Sequence, residues 1–191
     1  MITARFYSRF IKTTIIQVYA PTNEAEAEEK DNFYEQLQKI VDATPRHDML
    51  LILGHWNAKV GQQQVGEEGI VGKYGLQGER NGNGERFVAF CALNNLAILS
   101  TMVPHKDIHR YTWTSPNGQY RNQIDHVVIR SNFKRSVQDV KAYRGADVAS
   151  DHNLVIAKTL LKLNRTGRKV HVLKRYDTSK LNKPETRKFQ L

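Results

Sequence analysis

One short apolar run constrains the fold of this chain more than any other feature. Residues 49–53 (MLLIL) contain no polar side chain, and Gly54 follows directly. A continuous run of this length, without alternation, is typical of a β-strand that is covered on both faces. The chain therefore has to supply neighbouring strands and a covering layer on each side of this strand.

The rest of the sequence supplies those elements. β-Branched residues over 12–19 (KTTIIQVY) predict a strand that stops before Pro21. Thr22 or Asn23 is predicted to cap a helix that has acidic residues in its first turn and ends at Pro45. Further predicted elements are strands over 3–8, 96–101, 111–114, 123–130, 136–143 and 154–163, a glycine-rich loop over 60–84 and a second helix over 85–94. This order predicts an α/β domain of packed sheets covered by helices.

The positive charge is concentrated in the last part of the chain. Residues 164–191 hold nine Lys and Arg against two Asp and Glu, which is +7 of the formal net charge of +10. We therefore divide the sequence into a domain over 1–163 and a basic linker or tail over 164–191. Basic tails contact nucleic acid in many proteins, but a solvated linker explains the charge equally well.

Composition argues against membrane and secreted proteins. No stretch approaches the roughly 20 apolar residues of a membrane span, and the N-terminus lacks the apolar core of a secretory signal. The single cysteine, Cys91, cannot form an internal disulfide. This favours a reducing, intracellular compartment.

Polar residues at the ends of apolar strands are the candidates for chemistry, because a rigid scaffold presents them there. Tyr19 closes the strand over 12–19, and Asn57 follows the strand over 49–53. Asp125 lies within an apolar strand, where burying an unpaired carboxylate is costly. Each residue alone also has a structural explanation, as a turn former, a packing residue or a paired carboxylate.

Asp125 and His152 are predicted to form a pair across neighbouring strands. An aspartate that accepts a hydrogen bond from a histidine fixes its tautomer and raises its basicity. Tyr19 and Asn57 offer neutral hydrogen-bond groups for a phosphate oxygen, and Asp151 offers a hard oxygen ligand for Mg²⁺. Together these groups match the requirements of metal-assisted phosphodiester hydrolysis.

Five short motifs make the chain recognisable. In chain order they are VYAPTN (18–23), GHWNAKVG (54–61), YTWTSP (111–116), QIDH (123–126) and SDH (150–152). Their residues and their order resemble the endonuclease/exonuclease/phosphatase family, and in particular the apurinic-endonuclease-like domain of RTE-type non-LTR retrotransposons. The resemblance covers the domain over 1–163.

The resemblance implies a fold, an activity and a set of roles. The fold is a four-layered α-β-β-α sandwich of two packed mixed sheets flanked by helices. The activity is endonucleolytic cleavage of DNA that depends on Mg²⁺, with Mn²⁺ as the alternative cofactor. Asp125 would orient His152, which would act on the scissile phosphate or its attacking water. Asn57 and Tyr19 would stabilise the pentacovalent transition state, and Asp151 would lie near the metal.

The partner that the resemblance implies is duplex DNA. Trp113, Asn23 and the loop that contains Asn117 and Arg121 would lie near the DNA-binding face. A DNA substrate favours a nuclear location within the cell. No membrane partner and no small-molecule cofactor are expected.

The sequence departs from the family pattern at two places. The family's buried strand normally leads into Gly-Asp-x-Asn, whereas this chain has Gly54, His55, Trp56 and Asn57. His55 thus replaces a metal-binding aspartate, and imidazole suits Mn²⁺ or Zn²⁺ better than Mg²⁺. The family also has an opening strand with an asparagine and a strand that ends in a metal-binding glutamate. We expect both to precede residue 1, so that the fold is incomplete at the N-terminus and leaves a sheet edge open to self-association.

Three interpretations stay open at this point. In the first interpretation, the chain is an endonuclease domain that is impaired or inactive. If it is active, it uses a changed metal. Alternatively, it is a non-catalytic remnant that still binds nucleic acid. The third interpretation is the product of a decayed mobile element without a retained function, for which poor solubility and non-cooperative unfolding are expected.

Overall fold

A computed structural model describes residues 1–145 and 150–160 of the chain. The two α-helices are α1 (Ala27–Ala43) and α2 (Gly82–Leu93). The strands are β1 (Ile2–Tyr7), β2 (Lys12–Tyr19), β3 (Met49–His55), β4 (Leu96–Ile98), β5 (Trp113–Thr114), β6 (Arg121–Asn122), β7 (Asp125–Arg130), β8 (Val137–Tyr143) and β9 (Leu154–Thr159). Short 3₁₀ helices lie at Leu99–Thr101, Asp107–His109 and Ser131–Ser136.

A five-stranded mixed sheet in the order β1-β2-β3-β7-β4 forms the centre of the fold. β2 and β3 are parallel, and the other neighbours are antiparallel. β3 is the middle strand: Leu50 and Ile52 are buried on one of its faces, and Met49 and Leu51 on the other. The predicted strand that is covered on both faces is therefore confirmed.

The two faces of the central sheet are covered by different kinds of layer. On the face of Leu50, α1 and α2 pack through side chains such as Leu37 and Phe87. On the opposite face, β8 and β9 form a separate antiparallel pair that packs through Val140 and Val155. The predicted α/β fold of packed sheets and helices is therefore confirmed. Within the described residues, both α-helices cover the same face of the central sheet.

The predicted start of the first helix is wrong. α1 begins at Ala27, several residues beyond the predicted caps Thr22 and Asn23, and its N-cap residue Glu26 makes no side-chain capping bond. The side-chain oxygen of Asn23 accepts a hydrogen bond from the backbone N–H of Asn83 at 3.2 Å instead. Asn23 is therefore used in a tertiary contact rather than as a helix cap.

The second helix begins earlier than predicted, at Gly82 instead of residue 85. Its cap is Asn81, whose side-chain oxygen accepts a hydrogen bond from the backbone N–H of Gly84 at 2.8 Å. Capping by asparagine satisfies a backbone donor that the first helical turn leaves free. The glycine-rich stretch before Asn81 is loop, as predicted.

Five predicted strands are shorter in the structure. Those predicted over 123–130 and 136–143 begin only at Asp125 and Val137. The strand predicted over 96–101 ends at Ile98, because the next three residues form a 3₁₀ helix. The strand predicted over 111–114 contains only Trp113–Thr114, and the last strand ends at Thr159. Residues 161–163 of that last prediction, and the basic tail over 164–191, lie outside the described residues. No helix in the described part of the chain is long and apolar enough to cross a membrane.

β1 is an edge strand of the central sheet, with Ile2 and Phe6 largely exposed. Arg5 anchors it by donating hydrogen bonds to both carboxylate oxygens of the buried Asp48, at 2.6 and 3.0 Å. The Arg5 guanidinium holds the pKa of Asp48 below its ordinary value, with the hydroxyl of Thr14 also contributing. An exposed edge of this kind is consistent with self-association, which stays a prediction.

We expect Phe87→Ala in α2 to destabilise the fold by about 3–5 kcal/mol, because it opens a cavity in the fully buried core. Phe87 stacks on Trp56 with the ring centroids 4.0 Å apart, so its loss also loosens the chain after β3. Chemical denaturation measures the change. Leu93→Ala in the same helix is the control, because Leu93 is 86% exposed and its truncation should change stability by less than about 0.5 kcal/mol. Equal losses in the two variants would contradict the described core.

Candidate active site

Three neighbouring strands bring polar side chains together at one end of the central sheet. Tyr19 is the last residue of β2, His55 the last of β3, and Asp125 the first of β7. Tyr19 pairs with His55, and His55 pairs with Asp125. The directions of the three strands therefore place these residues side by side in one row.

Gly54 makes this alignment possible. Its φ is +144°, and a Cβ atom at this position would lie 2.0 Å from the backbone carbonyl oxygen of Val18. Only a residue without a side chain lets β3 approach β2 this closely. The position of His55 is thus set by the glycine that precedes it.

Asn57 turns the chain immediately after β3. Its φ is 50°, in the left-handed region, which asparagine tolerates better than most residues. Its Nδ2 donates to the carbonyl oxygen of Ala20 at 2.9 Å, and its Oδ1 lies 2.8 Å from Nε2 of His55. Asn57 therefore ties the chain after β2 to the end of β3.

The segment that contains Asp151 and His152 is held against β5. The backbone N–H of Thr114 donates to the carbonyl of Asp151 at 3.1 Å, and the indole Nε1 of Trp113 donates to the carboxylate of Asp151 at 2.7 Å. Trp113 and His152 also form an antiparallel bridge. These contacts fix the backbone of His152 beside the strand ends of the central sheet.

The carboxylate of Asp125 lies between two histidines. Its Oδ1 is 2.9 Å from Nδ1 of His55, and its Oδ2 is 2.9 Å from Nδ1 of His152. The predicted contact between Asp125 and His152 is present. The contact with His55 was not predicted, because it joins residues that are 70 positions apart in the sequence.

The charges of these groups stabilise one another. Burial alone would raise the pKa of Asp125, but hydrogen bonds from His55 and Thr112, together with the charge of His152, hold it below its ordinary value. Burial alone would lower the pKa of His55, but the hydrogen bond with Asp125 and its charge raise it above the ordinary value. The site therefore favours an ionised Asp125 beside a protonated His55.

A cavity of about 470 Å³, which we call the His55 pocket, is lined by these strand ends. The predicted site residues in its walls are Tyr19, Asn23, His55, Asn57, Trp113 and His152. Asp125 is not in the wall of the pocket, but it contacts His55 and His152, which are. The ring of Tyr19 stacks on that of His55, with the centroids 4.9 Å apart.

The other predicted DNA contacts lie outside this pocket. Arg121 lines a neighbouring cavity of about 300 Å³, and Asn117 is exposed at the turn between β5 and β6. Lys59 lines both cavities and links them. The surface around the pocket thus continues towards Arg121 through Lys59, which was not predicted as a site residue.

Asn81 and Asn122 also line the His55 pocket, although neither was predicted as a site residue from the sequence. Asn81 caps α2, and its Nδ2 donates to the carbonyl oxygen of Asn57 at 3.1 Å. An asparagine directly before a helix is a recognisable N-cap signal, and it could have identified Asn81. Its proximity to the pocket depends on the tertiary fold.

His126, the residue after Asp125, supports the site from the core. Its Nε2 lies 2.9 Å from the carbonyl oxygen of Ala58, and its Nδ1 lies 2.7 Å from the hydroxyl of Ser100. The carbonyl can only accept, so Nε2 carries the proton and Nδ1 accepts from Ser100. Burial lowers the pKa of His126 to about 4, so its ring is neutral near pH 7.

His55, Asp125 and His152 are residues of the types that bind metals, and their ligand atoms lie within 4.8 Å of one another. The set does not fit Mg²⁺, which prefers oxygen ligands, because it offers two imidazoles and one carboxylate. Each Nδ1 is also engaged by Asp125, and Nε2 of His55 is engaged by Asn57. The predicted ligand Asp151 adds only one exposed carboxylate, which already accepts from Trp113.

A mixed sheet packed against a second sheet, with a histidine–aspartate pair at its strand ends, defines a domain of the endonuclease/exonuclease/phosphatase type. The sequence profile of the family described as endonuclease-reverse transcriptase matches residues 13–156, and the chain belongs to this family. The family resemblance drawn from the sequence motifs is therefore confirmed.

Similar proteins include craniofacial development protein 2 of Bos taurus, which is 48% identical over 163 residues. The match covers 85% of this chain, which spans only 27% of the length of that relative. Among solved structures, the endonuclease domain of TRAS1, a telomere-specific non-LTR retrotransposon, matches with a TM-score of 0.58 and 16% identity, over 85% of this chain and 62% of that one. A 3′ phosphatase from Neisseria, bound to a product DNA hairpin, matches with a TM-score of 0.58 and 18% identity, over 83% and 65%. At these identities the two structures support the fold alone.

We expect Gly54→Ala to be more destabilising than Gly78→Ala by roughly 1–3 kcal/mol. The two glycines have similar φ values, +144° and +136°, so backbone strain is comparable in the two variants. A Cβ atom at Gly54 meets the carbonyl of Val18, whereas a Cβ atom at Gly78 meets nothing within 4 Å. Thermal or chemical denaturation measures the difference, and equal losses would contradict the close approach of β2 and β3.

We expect stability to fall as the pH is lowered from about 6.5 to about 4, because His126 is neutral when folded and protonates first in the unfolded chain. The neutral His126 contributes about 3 kcal/mol to the free energy of unfolding. This contribution is fully present above pH 6.5 and is lost as the pH falls through the pKa of His126 in the folded protein. His55 has the opposite shift, so its contribution to stability is fully present below pH 6.5 and changes only above this window. Denaturation at several pH values should give a shallower slope for His126→Gln. His47→Gln is the control, since its side chain is 80% exposed and the slope should not change.

Proposed function

We propose that this chain is a retrotransposon-derived nuclease domain that holds the backbone of duplex DNA at the His55 pocket and cleaves it poorly. The hydrogen bond between Asp125 and His152 is the observation that carries the proposal. It orients a histidine in the wall of a polar pocket, which is the arrangement that phosphodiester chemistry needs. Family membership and the nuclease-like fold support the same interpretation.

His152 is the proposed acid–base residue. Its Nδ1 faces the carboxylate of Asp125 and therefore carries a proton, which leaves Nε2 for the scissile phosphate or the attacking water. Asp125 acts by positioning the ring and by stabilising its protonated form.

Tyr19 and Asn57 are the proposed ligands of the phosphate oxygens. Tyr19 is 74% exposed as a residue, so its side chain is accessible to a ligand. Asn57 uses one Nδ2 hydrogen on Ala20, and its second hydrogen is available to an oxygen of the pentacovalent transition state. Such donors stabilise charge that develops during the reaction.

The proposed DNA path runs from the His55 pocket across the neighbouring cavity. Asn23 and Trp113 line the pocket, and Lys59 leads from it to Arg121. Asn117, at the exposed turn between β5 and β6, lies at the edge of this path. Cationic and hydrogen-bonding side chains of this kind contact the phosphate backbone without reading the base sequence.

We attribute poor cleavage to His55. The Mg²⁺ that the resemblance implies is not matched by the donors present, and the loss of one member of a catalytic set lowers the rate steeply. The same observation favours a second candidate function, binding to nucleic acid without any cleavage. The two candidates differ only in whether a phosphodiester bond is broken.

A plasmid-nicking assay and a duplex-binding assay on the same preparation test the proposal. We expect binding that weakens by more than about tenfold between roughly 50 and 200 mM salt, because phosphate contacts release counterions. We expect slow nicking with Mg²⁺ or Mn²⁺ that falls by about 100-fold or more in His152→Ala. His55→Asp should nick faster than the unchanged chain.

The outcomes separate the candidates. Binding without nicking, in both the unchanged chain and His55→Asp, would leave the second candidate. Nicking that persists unchanged in His152→Ala would come from a contaminating nuclease. Absence of duplex binding at low salt would overturn the proposed function altogether.

A further inference from the structure

Both ring nitrogens of His55 face hydrogen-bond acceptors. Nδ1 lies 2.9 Å from Oδ1 of Asp125, and Nε2 lies 2.8 Å from Oδ1 of Asn57. The orientation of the Asn57 amide is fixed independently, because its Nδ2 lies 2.9 Å from the carbonyl oxygen of Ala20. A carbonyl oxygen can only accept, so the nitrogen of the amide must point to Ala20 and the oxygen to His55.

Two acceptors require two donors. A neutral imidazole has one N–H, whereas the imidazolium has two, so this network is satisfied only by the charged form of His55. The face of the ring is covered by Tyr19, which stacks on it with an interplanar angle of 26°. The face of an aromatic ring carries partial negative charge and stabilises a cation that lies against it.

A histidine in this state cannot bind a metal ion, because both lone-pair positions hold protons. At the same position the family resemblance implies a carboxylate that binds one. We propose that the His55 imidazolium takes the place of a divalent cation in the His55 pocket, so that the pocket binds phosphate groups of nucleic acid without a metal ion. This inference rests on the proposed binding of phosphodiesters at the same pocket.

The charges around the pocket agree with this assignment. The charge of His55 balances that of Asp125, and Lys59 in the pocket wall adds a further positive charge. Among the described residues, the other negative groups here are Asp151, whose carboxylate accepts from Trp113, and Glu24, which is exposed in the wall of the pocket. With His55 charged, these five groups sum to −1, whereas an aspartate at position 55 would bring the sum to −3. The imidazolium thus removes most of the negative charge that would otherwise repel a phosphate group.

A carboxylate at position 55 would reverse this balance. The His55→Asp change alters the charge of the pocket by two units and places a second carboxylate against Asp125. Two carboxylates within hydrogen-bond distance repel each other unless a proton or a cation lies between them. The His55→Asp variant should therefore require a divalent cation for full stability, whereas the unchanged chain should not.

Metal binding is tested first, without DNA. The melting temperature is measured in EDTA and in Mg²⁺ or Mn²⁺ at matched ionic strength, and bound Mn²⁺ is measured by electron paramagnetic resonance. We expect the unchanged chain to melt at the same temperature in both conditions and to bind no Mn²⁺ at the pocket. His55→Asp should gain about 4 °C or more with Mn²⁺. The double variant H55D/D125N is the matched control and should lose this gain.

Phosphate binding is tested second, with a short DNA duplex as the probe. We expect the unchanged chain to bind the duplex in EDTA as tightly as in Mg²⁺ at matched ionic strength. His55→Asn keeps a hydrogen-bonding side chain but removes the charge, and it should weaken binding in EDTA by about tenfold. His55→Asn introduces no new carboxylate, so it tests the role of the His55 charge even if His55→Asp does not fold.

Two results would overturn the inference while leaving the proposed function intact. One is duplex binding by the unchanged chain that requires Mg²⁺ or Mn²⁺. The other is Mn²⁺ bound by the unchanged chain and lost in His55→Asn. Absence of duplex binding in EDTA and in Mg²⁺ alike would instead overturn the proposed function, on which the inference rests.

Discussion

The parallel pairing of β2 with β3 determines where the polar residues of this domain meet. Val18 lies opposite Gly54 and Tyr19 opposite His55, and the pairing is close because position 54 carries no side chain. β7 then adds Asp125 from the other side of β3. A buried strand that runs through the middle of the sheet thus ends in a row of polar groups, and the rigidity of its hydrophobic surroundings holds that row in place.

The short-range patterns of the sequence were sufficient to locate much of this arrangement. The unbroken run before Gly54 predicted the central strand and placed Asn57 just after it, and the run over 12–19 placed Tyr19 at a strand end. Asp125 was predicted inside a strand over 123–130, whereas β7 begins at Asp125. The same patterns did not predict the contact between His55 and Asp125, because it depends on the order of the strands in the sheet. The start of α1 was misplaced for a similar reason, since Asn23 is used in a contact with Asn83, 60 positions away.

A histidine at position 55, where the family resemblance implies an aspartate, changes the charge of the pocket by two units. Acidic residues at positions 55, 125 and 151 would form a cluster that is unstable until a cation binds. With His55 between Asp125 and Asn57, the charges of His55 and Asp125 cancel, and both ring nitrogens of His55 have hydrogen-bond partners without a ligand. The pocket can therefore stay folded and ordered without a bound metal ion. A folded pocket is in turn what continued binding to nucleic acid would require.

The contrast between His55 and His126 shows why the chemistry of such a site depends on hydrogen-bond partners as well as on burial. Desolvation alone would lower the pKa of both rings. The pKa of His126 is indeed lowered, whereas the contacts of His55 raise its pKa above the ordinary value. His126 has one acceptor, the carbonyl of Ala58, and one group that can donate to it, the hydroxyl of Ser100, so the neutral ring satisfies both contacts. His55 has two acceptors, one of them a carboxylate, so only the cation satisfies them. The two residues lie on adjacent strands, where Gly54 pairs with His126, yet one supports the core as a neutral ring and the other carries the charge of the pocket.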